Sequence, residues 1–214
     1  MSVEGAMEKR KIRLMGLSLP LAVLAVYGWG ARAGQPWQPL PGVPESWVPF
    51  SADFRVFGPG INTATGRFYR FSDGSTRSET RTLADLAIGI VNVGMGRFYS
   101  YSRGTGWVSQ PLELPPEGLK PRLPLASEAF ERVSEPWEGL EVWRLVDRTG
   151  GALLIAPALN AFTVRREAGQ GPSFEFTNIV IGEPQASLLP PASATVRERD
   201  EPMRVGRFPL VHVQ

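Results

Sequence analysis

From residue 50 onward the chain offers no long stretch of helical periodicity. Short β-favouring runs alternate with Gly, Pro, Asn and Asp. Among 214 residues there are 23 glycines and 20 prolines, and each proline fixes φ and removes a backbone donor. Such punctuation favours strands of about four to eight residues joined by turns. Phe50 to Phe57 reads as the first strand, ended by Gly58-Pro59-Gly60. Gly66 to Ser72 and Ser75 to Leu83 form a hairpin around Asp73-Gly74, a pair that tolerates positive φ. In that hairpin Tyr69 and Phe71 share one face, Phe68 and Arg70 the other. Ala87 to Val93, Arg97 to Ser102 and Trp107 to Gln110 follow as strands. Further on, Leu140 to Asp147 pairs with Ala152 to Ile155, and Phe162 to Glu167 with Phe174 to Ile181. Ser127 to Val133 is the one good helix candidate, with Ser127 as its cap and Ala129, Phe130 and Val133 at helical spacing.

The sum is about eight to ten short strands and one or two short helices. It predicts a mainly β fold, a curved antiparallel sheet in the form of an unclosed half-barrel, with a β-sandwich as the alternative. The proline-rich stretch from Pro111 to Pro124 reads as a loop within one domain, because neither flank has enough strands for a core of its own. The single β-rich domain covers 50–192. Residues 34–49, with five prolines, form an extended leader, and the charged stretch 193–214 reads as a loosely ordered tail.

Residues 1–33 read as a secretory signal. Lys9-Arg10-Lys11-Ile12-Arg13 precedes an apolar run from Leu14 to Tyr27, and Ala31-Arg32-Ala33 supplies small residues before Gly34. The run is about 14 residues, short of the roughly 20 that span a bilayer core. An uncleaved signal anchor is the alternative, and membrane contact is expected only through this segment. Removing its five basic and two acidic residues from the 23 and 21 of the chain leaves 18 and 19, a net charge of −1. No basic stripe remains, so nucleic acid is not an expected partner. The sequence has no cysteine, which excludes disulfides, thiolate metal sites and thiol catalysis. Together these features place the chain in a bacterial periplasm or exterior.

The residue order carries a resemblance. Gly66-Arg67-Phe68-Tyr69-Arg70 leads to Asp73-Gly74-Ser75-Thr76-Arg77-Ser78-Glu79, then an Ile/Val/Asn strand and an aromatic hairpin ending in Trp107. The second half runs through Glu138-Gly139-Leu140-Glu141-Val142 and Ile155-Ala156-Pro157-Ala158-Leu159-Asn160. It closes with Phe176-Thr177-Asn178-Ile179, Gly182-Glu183-Pro184 and Leu188-Leu189-Pro190-Pro191. This pattern resembles exported bacterial proteins with a fold like the lipoprotein carrier LolA. The resemblance implies a half-barrel whose apolar concave face, covered by helices, receives lipid acyl chains. Those carriers open with a long amphipathic helix, whereas residues 34–49 here are proline-rich.

Catalytic chemistry finds little support. His212 is the only histidine, and no Gly-x-Ser-x-Gly elbow is present. Asp53, Asp73 and Glu79 are the candidates for a carboxylate-based hydrolase, but Asp73 reads as a turn residue and Glu79 as one of the charges of an exposed strand. Gly58-Pro59-Gly60 and Gly104-Thr105-Gly106 read as turns, and no ligands cluster for a metal, so no cofactor is expected. The strand aromatics are the remaining feature. Phe54, Tyr69, Phe71, Tyr99, Tyr101, Trp107, Trp143 and Phe176 are expected either to fill the core or to line a concave site for a lipid or other apolar small molecule. An empty cavity of about 400 Å³ would cost on the order of 10 kcal/mol, close to a whole domain's stability. The first functional expectation is a non-enzymatic carrier that holds such a ligand. The second is an envelope structural or protein-interaction domain with a filled core, its partner an envelope protein. The signal reading predicts that the exported protein begins at Gly34. Intact-mass measurement on periplasmic material checks this, and a mass that retains residues 1–33 identifies a signal anchor.

Overall fold

The computed structural model describes residues 38–59, 63–114, 125–126, 130–146, 150–169 and 171–204. Residues 1–33, read from sequence as a secretory signal, most of the second proline-rich stretch and His212 lie outside these residues. The strands are β1 (Gln38–Pro39), β2 (Phe50–Phe57), β3 (Ala64–Arg70), β4 (Thr76–Arg81), β5 (Leu86–Asn92), β6 (Arg97–Ser102), β7 (Gly106–Glu113) and β8 (Leu125–Ala126). They continue as β9 (Phe130–Arg132), β10 (Trp143–Val146), β11 (Ala152–Ala156), β12 (Phe162–Glu167), β13 (Ser173–Ile181), β14 (Val196–Glu198) and β15 (Met203–Arg204). β1 pairs with β8 apart from the rest. The main sheet runs β14-β7-β6-β5-β4-β3-β2-β13-β12-β11-β10-β9, with β15 also on β7. Its ends do not meet, so it is an open, curved sheet and not a closed barrel.

Two meanders make up this sheet, β2 to β7 and β9 to β13, and each advances by antiparallel neighbours. They are joined along one seam where β2 and β13 pair antiparallel, from Phe57↔Ser173 to Phe50↔Ile181. A bulge interrupts the seam between Thr177 and Val180, with Asn178 at φ 51°. The extra residue resets the alternation, so Phe176 and Ile179 both pack on the same core.

Three predicted strands, Phe50–Phe57, Arg97–Ser102 and Phe162–Glu167, form with those bounds. The first hairpin turns through a longer loop than the Asp73-Gly74 pair alone. Phe71 N donates to Ser75 O, and the Asp73 carboxylate accepts from Ser75 N at 2.7 Å and Ser75 Oγ at 2.8 Å. The helix expected over Ser127–Val133 does not form at its described end. Residues 130–132 are β9, which pairs with β10, and Val133 N donates to Val142 O. A helix of about two turns is unstable alone, and the ladder to β10 satisfies the same backbone groups. Among the described residues the only helical element is a 3₁₀ turn, Pro157–Leu159. The tail also departs from expectation, because β14 and β15 pair in parallel with β7.

The main core lies on the face of β2, β3, β12 and β13 that carries Phe50, Ala52, Phe54, Phe68, Val164 and Phe176. Each buried phenylalanine contributes about 1.5–3 kcal/mol from removal of its surface from water. Gly66 sits opposite Phe54 in the ladder; a Cβ there would lie 2.5 Å from the Phe54 ring and 1.9 Å from Glu79 O, so only glycine fits.

Residues 40–49 lie on the domain and do not project from it. Leu40 is buried with Leu145, Leu153, Ile155 and Ala161. The strap is held by Asn160, which follows the 3₁₀ turn with φ 54°. Its Oδ1 accepts from Val48 N at 2.8 Å and Arg70 Nη2 at 2.9 Å. Its Nδ2 donates to Pro44 O at 3.0 Å and Ser46 O at 2.8 Å. Those four bonds use the full capacity of the carboxamide. Arg70 is buried and donates further to Val48 O and Leu159 O, both at 2.9 Å. Asn160→Ala would remove four hydrogen bonds at once, one of them to the buried Arg70, and the expected loss is about 3–5 kcal/mol of unfolding free energy in urea titration. Asn160→Gly relieves the positive φ and is expected to lose nearly as much. A loss below about 1 kcal/mol in both would show that the strap is held elsewhere.

Candidate binding surface

The structure distributes the eight sequence-selected aromatics over separate places. Phe54 and Phe176 join the main core with ring centroids 5.8 Å apart. Around them Phe162 lies 4.9 Å from Phe176 and 5.1 Å from Phe50, and Phe68 stacks on Phe162 at 5.5 Å. Tyr99, Tyr101 and Trp107 form a second group with Ile88 and Ile90. Trp143 packs against the Leu145 cluster, and its Nε1 donates to Glu141 at 3.2 Å. Phe71 is buried in the first hairpin loop, and Tyr69 is half-buried on β3. The structure therefore brings two subsets together and leaves Tyr69, Phe71 and Trp143 apart from both.

The second group belongs to a larger surface. Cross-strand register places Asp53, Arg67, Glu79, Ile88, Tyr101 and Trp107 in one row across β2 to β7. A parallel row holds Ser51, Tyr69, Arg77, Ile90, Tyr99 and Ser109. One sheet face thus changes from charged over β2–β4 to apolar over β5–β7. In the charged half Arg77 pairs with Glu79 at 2.8 Å, and Arg67 approaches Asp53 at 3.7 Å. Asp53 also accepts from Asn178 Nδ2 at 2.9 Å, while Asn178 N donates to Glu138 at 3.0 Å. Of the hydrolase candidates, Asp53 and Glu79 therefore face arginines, and Asp73 holds its turn. Among the described residues no three His, Asp or Glu side chains come together as a metal site requires.

The apolar half is covered by the tail. Leu188, Ala194 and Val196 pack on Ile90, Tyr99 and Trp107. Arg77 Nη1 donates to Ser187 O at 2.7 Å, and Asn92 Nδ2 to Leu188 O at 3.1 Å. The chain then follows the edge of β7, and Met203 reaches a cluster of Val91, Phe98 and Leu112. An open cleft of about 500 Å³ lies elsewhere, lined by Arg132, Val133, Ser134, Pro136 and Glu141. Sequence reading missed both the tail contacts and Asn160. The apolar spacing of Leu188, Ala194 and Val196 within a polar, proline-rich stretch was the available signal for the first. The second stood in the sequence only as the end of the Ile155 to Asn160 pattern, with no role attached to it.

No family model matches the chain, and no curated protein does. Two solved structures of PNGF-II, in P21 and C2 crystal forms, are similar at 9% and 8% identity with TM-scores of 0.39 and 0.36. The match takes in 72% of this chain but 32% and 31% of theirs, about a third of their length.

Burial foremost, and then the Glu79 carboxylate, raises the Tyr69 phenol above its ordinary value of 10, while Arg67 and Arg77 oppose the shift and Asp53 adds to it. The unfolded chain therefore loses this proton at lower pH than the folded one. The contribution of Tyr69 to stability is full below pH 10 and declines as pH rises through the folded value. Urea titrations at several alkaline pH values should show a shallower decline for Tyr69→Phe than for the parent. Parallel curves would refute the shift.

Proposed function

We propose that this chain is an exported, non-enzymatic binding module of the bacterial cell envelope, and that its ligand is a protein and not a lipid. The observation that supports this reading is the interlocking of the core rings. Phe50, Phe54, Phe68, Phe162, Phe174 and Phe176 form a continuous set of contacts with centroids 4.9–6.0 Å apart. An acyl carrier must keep apolar volume free for its ligand, whereas these side chains supply one another's contacts. The open volume near β9 is lined by Arg132, Ser134 and Glu141 as well as Val133 and Pro136, which is poor lining for a hydrocarbon chain. An extended sheet offers a protein partner main-chain hydrogen bonds and pockets for alternate side chains.

Native mass spectrometry of the protein purified gently from a periplasm, beside a solvent-stripped sample, tests the reading. The expected result is a ligand-free mass and the same melting temperature in both. A discrete added mass matching phospholipid or fatty acid, with a lower melting temperature after stripping, would overturn it and restore the carrier.

A further inference from the structure

We infer that the apolar face of β5–β7 and the edge of β7 form an acceptor site for an extended peptide strand, and that its occupant, residues 183–204, can be lent by one copy of the chain to another. The inference deepens the protein-binding reading and rests on it for the class of ligand. The site reads its occupant as peptide. Side chains from three strands, Arg77, Asn92 and Gln110, donate to the main-chain carbonyls of Ser187, Leu188 and Glu201 at 2.7, 3.1 and 3.1 Å. Val196–Glu198 then adds a parallel ladder to Trp107–Ser109, and Met203–Arg204 another to Leu112–Glu113. This is strand addition at a sheet edge, with Leu188 and Val196 seated on the apolar row.

Charge identifies which peptide fits. Arg97 meets Glu198 at 2.7 Å and Arg204 meets Glu113 at 2.8 Å, so acceptor and occupant each supply one cation and one anion. The same segment of a second copy carries the same pattern. The connection permits the exchange. A parallel strand has no tight turn to fix its register. Here Gly182, at φ 137°, leads into a stretch containing Pro184, Pro190 and Pro191, with no ladder pairing until Val196. A proline-rich segment stays extended when released, so the occupant leaves as a preformed strand, and exchange of an identical element is a low-cost route to an oligomer.

A fluorescein-labelled peptide of residues 183–204 is titrated against the full chain and followed by anisotropy. The parent should bind it weakly, because the tethered tail competes at an effective concentration on the order of millimolar. A full-length Leu188→Ser, Val196→Ser variant should bind at least about tenfold tighter, since its own tail no longer competes well. If circular dichroism shows that variant unfolded, Glu198→Arg, a change at an exposed side chain, loosens the tail instead and a gain of about fivefold is expected. Adding Arg97→Glu to the Leu188→Ser, Val196→Ser variant should weaken the labelled peptide about fivefold, and a peptide carrying Glu198→Arg should recover it. No gain on loosening, or no recovery by the exchanged charge, overturns the site. Sedimentation of the parent over a concentration series should show dimer growing in; a strict monomer overturns the lending between copies. A lipid adduct in the native mass spectrum would remove the proposed function without changing these titrations, and a failed titration would leave that spectrum as it was.

Discussion

The Asn160 carboxamide is the point on which the arrangement of the molecule depends. It ties the turn after β11, where it sits, to the strap at Pro44–Val48 and to the end of β3 at Arg70, partners 90 to 116 residues away from it along the chain. Its backbone takes the left-handed conformation that asparagine tolerates better than most residues. Arg70 completes the node. Removing a guanidinium from water is costly, and here three carbonyl-type acceptors and the faces of Phe50, Trp47 and Phe162 stand in for hydration. With the strap fixed, Leu40 and Val43 can close the outer side of β10 and β11. Trp47 lies against Gly74, where any side chain would collide with its indole.

The two ends of an open sheet present unpaired backbone groups, and the chain treats them differently. At one end β9 is three residues long and is flanked by the Arg132–Glu141 ion pair, which leaves little edge to extend. At the other end the eight residues of β7 would present a much longer edge, but β14 and β15 of the tail pair with it, and Arg197 and Glu198 are exposed. The longer edge therefore has the dedicated cover. The same cover keeps Trp107 and Tyr99 out of water.

Much of the fold was legible because its rules are local. Period-two patterning with Gly and Pro at the turns gave Phe50–Phe57, Arg97–Ser102 and Phe162–Glu167 their bounds. The failures came where a distant partner decides. Ala129, Phe130 and Val133 have helical spacing, yet β10 offers that segment a ladder. The tail is charged and proline-rich, yet β7 needs an edge strand. The aromatics posed a different problem. Sequence placed all of them but Phe71 on strands correctly, but whether rings on neighbouring strands touch or leave a gap depends on sheet curvature, and alternation carries no measure of curvature.

The seam between β2 and β13 bears on how the chain reaches this structure. Within each meander, strands pair with sequence neighbours, so their hairpins can form through short loop closures. β2 and β13 are partnered across roughly the whole domain, Asp53 with Thr177 and Phe50 with Ile181. Closing that loop costs chain entropy before most of its contacts are made. The seam is thus a longer-range step than the pairing of the tail with β7, and the bulge at Asn178 lies within it. A register error there would turn Ile179 away from the core, so the commitment to the native topology is concentrated in a few residues of one strand pair.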